Sequence, residues 1–269
     1  MGLFLRRNRT QYTKPPLTLE QQADLLLSRG LIGDRERLID LLSNLNYYRL
    51  SAYLYPFRRK DGTEKFTDGT NIDTILEIYR FDEGLRNSLV AGLEKIEISL
   101  RTKVAYHFSH ACGPFGYLDI ANLPDCNRGD LAKLLAHMQD EKEKSSEAFI
   151  EHFVNKYGDC HEYFPLWMAV ELMSFGTLHN LWKGFSRNLR EAIANDYGIH
   201  GVVLDSWFLS LNVLRNLCAH HSRIWNRIFG FKPMIPKKDP LWNTPFSIPN
   251  QRLFGFASVI VFLVQTDRW

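Results

Sequence analysis

Residues 71–110 read NIDTILEIYRFDEGLRNSLVAGLEKIEISLRTKVAYHFSH, with no proline and with Gly84 and Gly92 as the only weak points. Ile78, Phe81, Leu85, Leu89, Leu93, Ile96, Leu100 and Val104 recur along it at three- and four-residue steps. That spacing places apolar side chains on one face of an α-helix. So long a stripe predicts the spine of a helical core, closed by Gly113-Pro114.

The flanking sequence is helical as well. Thr18-Leu19-Glu20-Gln21 has the form of a capping box, and the helix it opens stops at Gly30. Asp34 opens a second helix whose apolar face is Leu38, Ile39, Leu41, Leu42 and Leu45. Shorter helices are predicted over residues 130–143, 147–157, 165–173, 178–186 and 189–197. Asp205 or Ser206 is the expected cap of a further helix that runs through Arg227, and residues 254–264 form a core helix near the C-terminus. The turn dipeptides Asp61-Gly62 and Asp68-Gly69 bracket the one place where a short hairpin fits, and the proline-rich segment 231–249 reads as loop. With a strand count near zero and no repeat of fixed period, the fold class is all-α.

At 269 residues, 45% hydrophobic and 23% charged, the chain can bury a large core as a soluble globular protein. Its most apolar run, residues 254–264, falls well short of the roughly 20 residues a membrane span needs. Cys112, Cys126, Cys160 and Cys218 are scattered without CxxC pairing, and no apolar leader follows the basic start. A cytoplasmic location is the expectation. The net charge of +3 is too small to mark a nucleic-acid binder, but its distribution is uneven. From Ser206 to Lys238 there is no Asp or Glu, while Arg215, Arg223, Arg227, Lys232, Lys237 and Lys238 all fall there.

Within that stretch lies Arg215-Asn216-Leu217-Cys218-Ala219-His220-His221. At about 100° per residue, with Arg215 at zero, Asn212, Arg223, Asn216, Arg227 and His220 fall between roughly 60° and 140° as one polar stripe. His221 falls near 240°, among Leu211, Leu214, Leu217 and Cys218, so it reads as a core histidine supporting the stripe. A fixed cation, an amide and an imidazole together suit cleavage of RNA by its own 2′-hydroxyl. A base takes the 2′ proton, an acid protonates the leaving 5′ oxygen, and positive charge stabilises the phosphorane. Histidine can serve either proton transfer and arginine offers a permanent fork to phosphate. No metal or other cofactor is required. One histidine per chain is too few for an acid and a base, so a two-fold homodimer is expected to supply both.

Other candidates are weaker. Glu97 and Arg101, four apart on the long helix, read as an ion pair supporting the core, or as residues orienting His220 or a phosphate. Tyr47 and Arg49 could contact RNA bases, as Arg223, Arg227 and Asn212 could contact its backbone. His107, His110, Cys112 and Cys160-His161 lack an ordered second pair, so no metal site is expected. Glu171 and His179 read as structural. No Gly-rich phosphate loop or GxSxG elbow occurs.

Arg215 to His221, followed by Arg223-Ile224-Trp225-Asn226-Arg227, resembles the signature of the Abi-like (AbiD/AbiF) phage-abortive-infection proteins. Leu45-Asn46-Tyr47-Tyr48-Arg49-Leu50-Ser51 with Tyr55-Pro56-Phe57 resembles their N-terminal block. Ile96-Glu97-Ile98-Ser99-Leu100-Arg101 and Pro165-Leu166-Trp167 with Ser174-Phe175-Gly176 resemble their middle blocks, in the same order. The likeness runs from about Leu17 to Phe262. It implies a HEPN-like helical bundle with extra N-terminal and C-terminal helices, and metal-independent endoribonuclease activity in a dimer. Arg215, Asn216 and His220 would be catalytic. The implied organisation is a flexible basic arm (1–16), a helical segment packing on the core (17–70) and the core itself (71–269). Single-stranded tRNA or mRNA would be the substrate, with a small regulatory RNA as a possible partner and no membrane association. The rival reading is a non-catalytic RNA-binding module, or a sensor or scaffold in a toxin–antitoxin-like system.

Overall fold

The computed structural model describes residues 11–236 and 239–266. The first ten residues of the expected arm, and Lys237 and Lys238 of the cationic stretch, lie outside them. Among the described residues there are eleven α-helices and no strand, the all-α class that the apolar periodicity predicts. They divide into two compact units between Phe81 and Asp82. That division falls inside a helix, eleven residues beyond the boundary at 70/71 read from the sequence.

The first unit holds α1 (Leu19–Ser28), α2 (Arg35–Asn44), α3 (Tyr47–Leu54) and the start of α4 (Ile72–Cys112). Thr18 and Gln21 form the reciprocal capping box, with Gln21 N donating to Thr18 Oγ1 at 3.3 Å and Thr18 N to Gln21 Oε1 at 2.9 Å. Gly30 ends α1 at φ +92, a conformation open to glycine because it has no Cβ. Ala23, Leu26, Leu38, Leu42, Leu50, Tyr53 and Ile75 are buried together. The expected hairpin contracts to an isolated antiparallel bridge between Arg58 and Phe66.

The second unit holds the rest of α4 with α5 (Arg128–Lys144), α6 (Ala148–Tyr157), α7 (Leu166–Leu172), α8 (Phe175–Lys183), α9 (Arg187–Asn195), α10 (Gly201–Ala219) and α11 (Leu253–Thr266). Leu89, Leu93, Ile96, Leu100, Val104 and Phe108 of α4 are buried in one cluster with Leu204, Trp207, Phe208, Leu211 and Leu214 of α10. Gly92 lets α11 approach, since a Cβ there would stand 2.6 Å from Ile260 Cγ2. The proline-rich loop is pinned by Trp242, whose ring lies 5.3 Å from both Trp207 and Phe262.

Two expectations are corrected. The cap of α10 is neither Asp205 nor Ser206: the helix starts at Gly201, whose amide donates to Glu191 Oε2 at 2.7 Å. Asp205 sits within the helix, where it accepts from Trp182 Nε1 and Arg190 Nη1. Phe81 is 58% exposed, and the inward position beside it belongs to Asp82, which is fully buried. Asp82 pairs with buried Arg86 at 2.6 Å. It also accepts the backbone amides of Ile224 at 3.2 Å and Trp225 at 2.6 Å. A buried carboxylate is tolerated when its lone pairs are this well used.

Asp82→Ala leaves Arg86 buried beside two amides stripped of their acceptor, and should cost about 3–5 kcal/mol. Arg86→Met should cost less, because the carboxylate keeps its amide donors. Urea unfolding read by tryptophan fluorescence measures this unit, since all six tryptophans lie beyond residue 82. An equal loss in the two variants would refute the amide contribution. Separately, burial pushes His179 down to about 4, with the charge of Lys183 adding to the effect. Between pH 6.5 and 4 the unfolded chain therefore binds a proton that the folded one refuses. That stability is complete above pH 6.5 and declines as pH falls toward 4, by up to about 1.4 kcal/mol per pH unit. His179→Phe should flatten this part of the stability profile.

Candidate functional site

The motif lies at the C-terminal end of α10, which stops at Ala219 instead of running through Arg227. No glycine or proline marks the stop. His220 is the C-cap (φ −90, ψ 15) and His221 takes φ +53. His221 N donates to Cys218 O at 3.0 Å and Ser222 N to Leu217 O at 2.8 Å. This pair of bonds is a Schellman motif with histidine where glycine is usual. Beyond it the amides of Ile224 and Trp225 are drawn to Asp82, so they are not available to extend the helix.

The early stop rearranges the expected stripe. Asn216 and His220 are exposed and Arg215 is half-exposed, as the wheel predicts. His221 is exposed as well, not buried in the core, because the left-handed turn swings it off the helix before the apolar face is reached. Arg223 and Arg227 lie past the helix, half-buried, with Arg227 Nη1 donating to Arg223 O at 3.2 Å. Asn212 turns inward: its Oδ1 is buried without a donor, and a Cβ on Gly176 would lie 3.6 Å from it. Cys218 is buried, and burial pushes its thiol up to about 11, so it remains protonated and poorly nucleophilic.

Arg215 is held from α4. Its Nε lies 3.6 Å from Glu97 Oε2, while Glu97 Oε1 accepts from Arg101 Nη2 at 2.5 Å. Arg101 in turn donates to the carbonyl of Val170, the last-turn region of α7. Glu97 and Arg101 therefore join three helices at Arg215, in keeping with the ion-pair reading; the motif residue Glu97 engages is Arg215, not His220. An open cleft of about 530 Å³ lies alongside, lined by Val90, Glu94, Glu97, Arg101, Glu171 and Arg215 among others. Glu171, exposed, stands at this cleft.

Other sequence candidates go elsewhere. Tyr47 and Arg49 belong to the first unit. Tyr47 accepts from Arg29 Nη1 at 2.8 Å through its hydroxyl, and Arg49 Nε donates to the Tyr79 hydroxyl (Oη) at 3.1 Å with its guanidinium 5.7 Å from that ring. Arg49 is packed rather than extended toward solvent. His107 pairs with Asp196 at 2.9 Å, His110 bonds the Tyr106 carbonyl and His161 stacks on Phe115. Among the described residues no group of three or more His, Cys, Asp or Glu is placed to hold a metal. Asp82 is the residue the periodicity should have flagged. It stands four after Ile78 and three before Leu85, an acid on the apolar phase.

An all-α unit presenting an arginine, an amide and an imidazole at one exposed helix end defines the class of site. The family model described as Abi-like protein matches residues 40–226, well over half of the chain, and the chain belongs to that family. Membership implies a role in abortive infection, a defence against phage. No curated protein and no solved structure matches it. Among the described residues no helix is long and apolar enough to cross a membrane.

The Schellman turn generates a further prediction. His221→Gly should be more stable than His221→Ala by about 1 kcal/mol, because a Cβ is disfavoured at positive φ. Both variants lose the imidazole, so thermal unfolding of the pair isolates the backbone effect. Equal midpoints would show that the turn does not hold residue 221 at positive φ.

Proposed function

We propose that this chain is a metal-independent endoribonuclease of anti-phage defence, HEPN-like in its core. Arg215, Asn216 and His220 from two copies would together form one site for single-stranded RNA such as tRNA or mRNA. The observation that carries this reading is the exposure of Asn216 and His220 at the end of a helix whose opposite face is buried. An imidazole open to water at a helix end can exchange protons with a substrate, and a half-exposed guanidinium can bind a phosphoryl oxygen.

In the proposed reaction the imidazole of one His220 takes the proton from a ribose 2′-hydroxyl. The 2′ oxygen bonds to the adjacent phosphorus, and Arg215 stabilises the charge on the equatorial oxygens. The bond from phosphorus to the 5′ oxygen breaks as the other His220, protonated, supplies a proton to that oxygen. The products are a 2′,3′-cyclic phosphate and a free 5′-hydroxyl. One His220 per chain can serve as the acid or the base but not as both at once, so the proposed site draws its second imidazole from the other copy. The ion pair to Glu97 uses one donor of the guanidinium fork and leaves others for phosphate.

The test compares wild type with His220→Ala on single-stranded RNA in EDTA. Loss of a proton-transfer group should slow cleavage about 10²–10⁴-fold, with cyclic phosphate ends on the wild-type products. Light scattering should give twice the 31.4 kDa chain mass. Equal cleavage by both proteins would remove His220 from the chemistry, and a strict monomer that cleaves would remove the composite site. RNA binding without any cleavage by wild type would favour the non-catalytic reading.

A further inference from the structure

The cleft beside Arg215 is poorly suited to hold a polyanion by charge. Glu94, Glu97 and Glu171 line it against Arg101 and Arg215, and Glu97 already engages both arginines. An RNA strand cut there needs an anchor elsewhere. A second cavity of about 510 Å³ has the opposite character, and it opens immediately after the motif. Its walls are Trp225, Arg227, Arg252 and Phe254, with Asn226 between them and no Asp or Glu in its lining.

We infer that this cavity is a nucleotide subsite for single-stranded RNA, in which Arg227 and Arg252 bind backbone phosphate and Trp225 with Phe254 stacks a base. The inference rests on the endoribonuclease reading and extends it to residues of the C-terminal region. Arg223, Arg227 and Arg252 make no ion pair with any described residue, so their charge is uncompensated locally. Two of these guanidiniums are nonetheless oriented. Arg252 Nη1 donates to Asn226 Oδ1 at 2.9 Å and Arg227 Nη1 to Arg223 O at 3.2 Å. Each bond uses one of five N–H donors and fixes the fork, leaving the rest for phosphoryl oxygens. Asn226 reaches Arg252 from a turn at φ +49, a conformation asparagine adopts more readily than most residues. Phe254 is 50% exposed and Trp225 half-buried, the presentation that stacking on an unpaired base requires.

The subsite is also within reach of the chemistry. Ala219 lines the first cleft and Ile224 the second. Four residues lie between them, a span of at most about 18 Å when the chain is extended. A strand a few nucleotides long could therefore lie in both at once. In this arrangement affinity comes from the acid-free cavity, and the glutamate-rich cleft receives only the phosphate to be cut.

The test measures RNA affinity in a His220→Ala background, so that cleavage does not interfere. The probe is a labelled, unstructured single-stranded RNA of about 20 nucleotides followed by fluorescence anisotropy over a salt series. Arg252→Ala should weaken binding roughly tenfold and lower the salt slope by about 0.7. Phe254→Ala should weaken it several-fold without changing the slope, since stacking releases no counterion. Arg187→Ala, an exposed arginine on α9, is the control for the general loss of charge. Circular dichroism checks that each variant is folded. If Arg252→Ala changes affinity no more than Arg187→Ala does, the subsite is wrong while the endoribonuclease reading stands. If the His220→Ala protein binds no RNA at any salt, the subsite falls, and wild-type cleavage of the same RNA then decides whether that reading falls with it.

Discussion

A single carboxylate taken out of water governs how the motif is presented. Asp82 sits at 0% exposure on α4, paired with Arg86, and an acid so placed is tolerable only if its oxygens are fully used. Two of the donors it finds are backbone amides, those of Ile224 and Trp225. Because backbone amides are common to every residue but proline, this contact can fix the path of the chain with many different side chains at 224 and 225. It brings the segment after α10 back against α4, and with it come Asn226, Arg227 and the approach to Arg252. The same contact removes the amides that would have continued the helix, which leaves His220 at a free end.

A second acid has a complementary role. Glu97 sits between Arg101 and Arg215 and so transmits the packing of α4 and α7 to the arginine of the motif. Its two contacts are unequal. The short bond to Arg101 is structural in character, whereas 3.6 Å to Arg215 is a looser association. A guanidinium held in this way keeps its place without being fully neutralised, a useful property for a group proposed to meet phosphate.

Much of this was legible in the residues. The capping box at Thr18, the stop at Gly113 and the helices on either side of Ser174 were readable because each depends on neighbours within one or two turns. Asn216 and His220 were placed correctly on the open side of α10 for the same reason. The misreadings around α10 come from contacts distant in sequence. Nothing between Gly201 and Phe229 breaks a helix, so the stop at Ala219 could not be seen without Asp82, more than a hundred residues away. That one omission misplaced His221 in the core and put Arg223 and Arg227 on a stripe they do not share. The start of α10 is hidden similarly, since its N-cap is His200 and its first amide is satisfied by Glu191 from α9. Asp82 itself was visible in principle, as an acid on the apolar phase of the longest helix, and the neighbouring Phe81 concealed it.

The turn between α10 and the Asp82 contact has a further consequence. Exactly four residues, His220 to Arg223, lie between the last helical residue and the first amide bound by the carboxylate. Adding or deleting one would offer Asp82 a different pair of backbone groups and undo the Schellman closure at Ser222. The length of this connection is therefore a dimension of the fold in its own right, as rigid as any packed side chain. Insertions that surface loops ordinarily absorb have no room here, and variation must come through the identities of residues 220–223 while their number is kept.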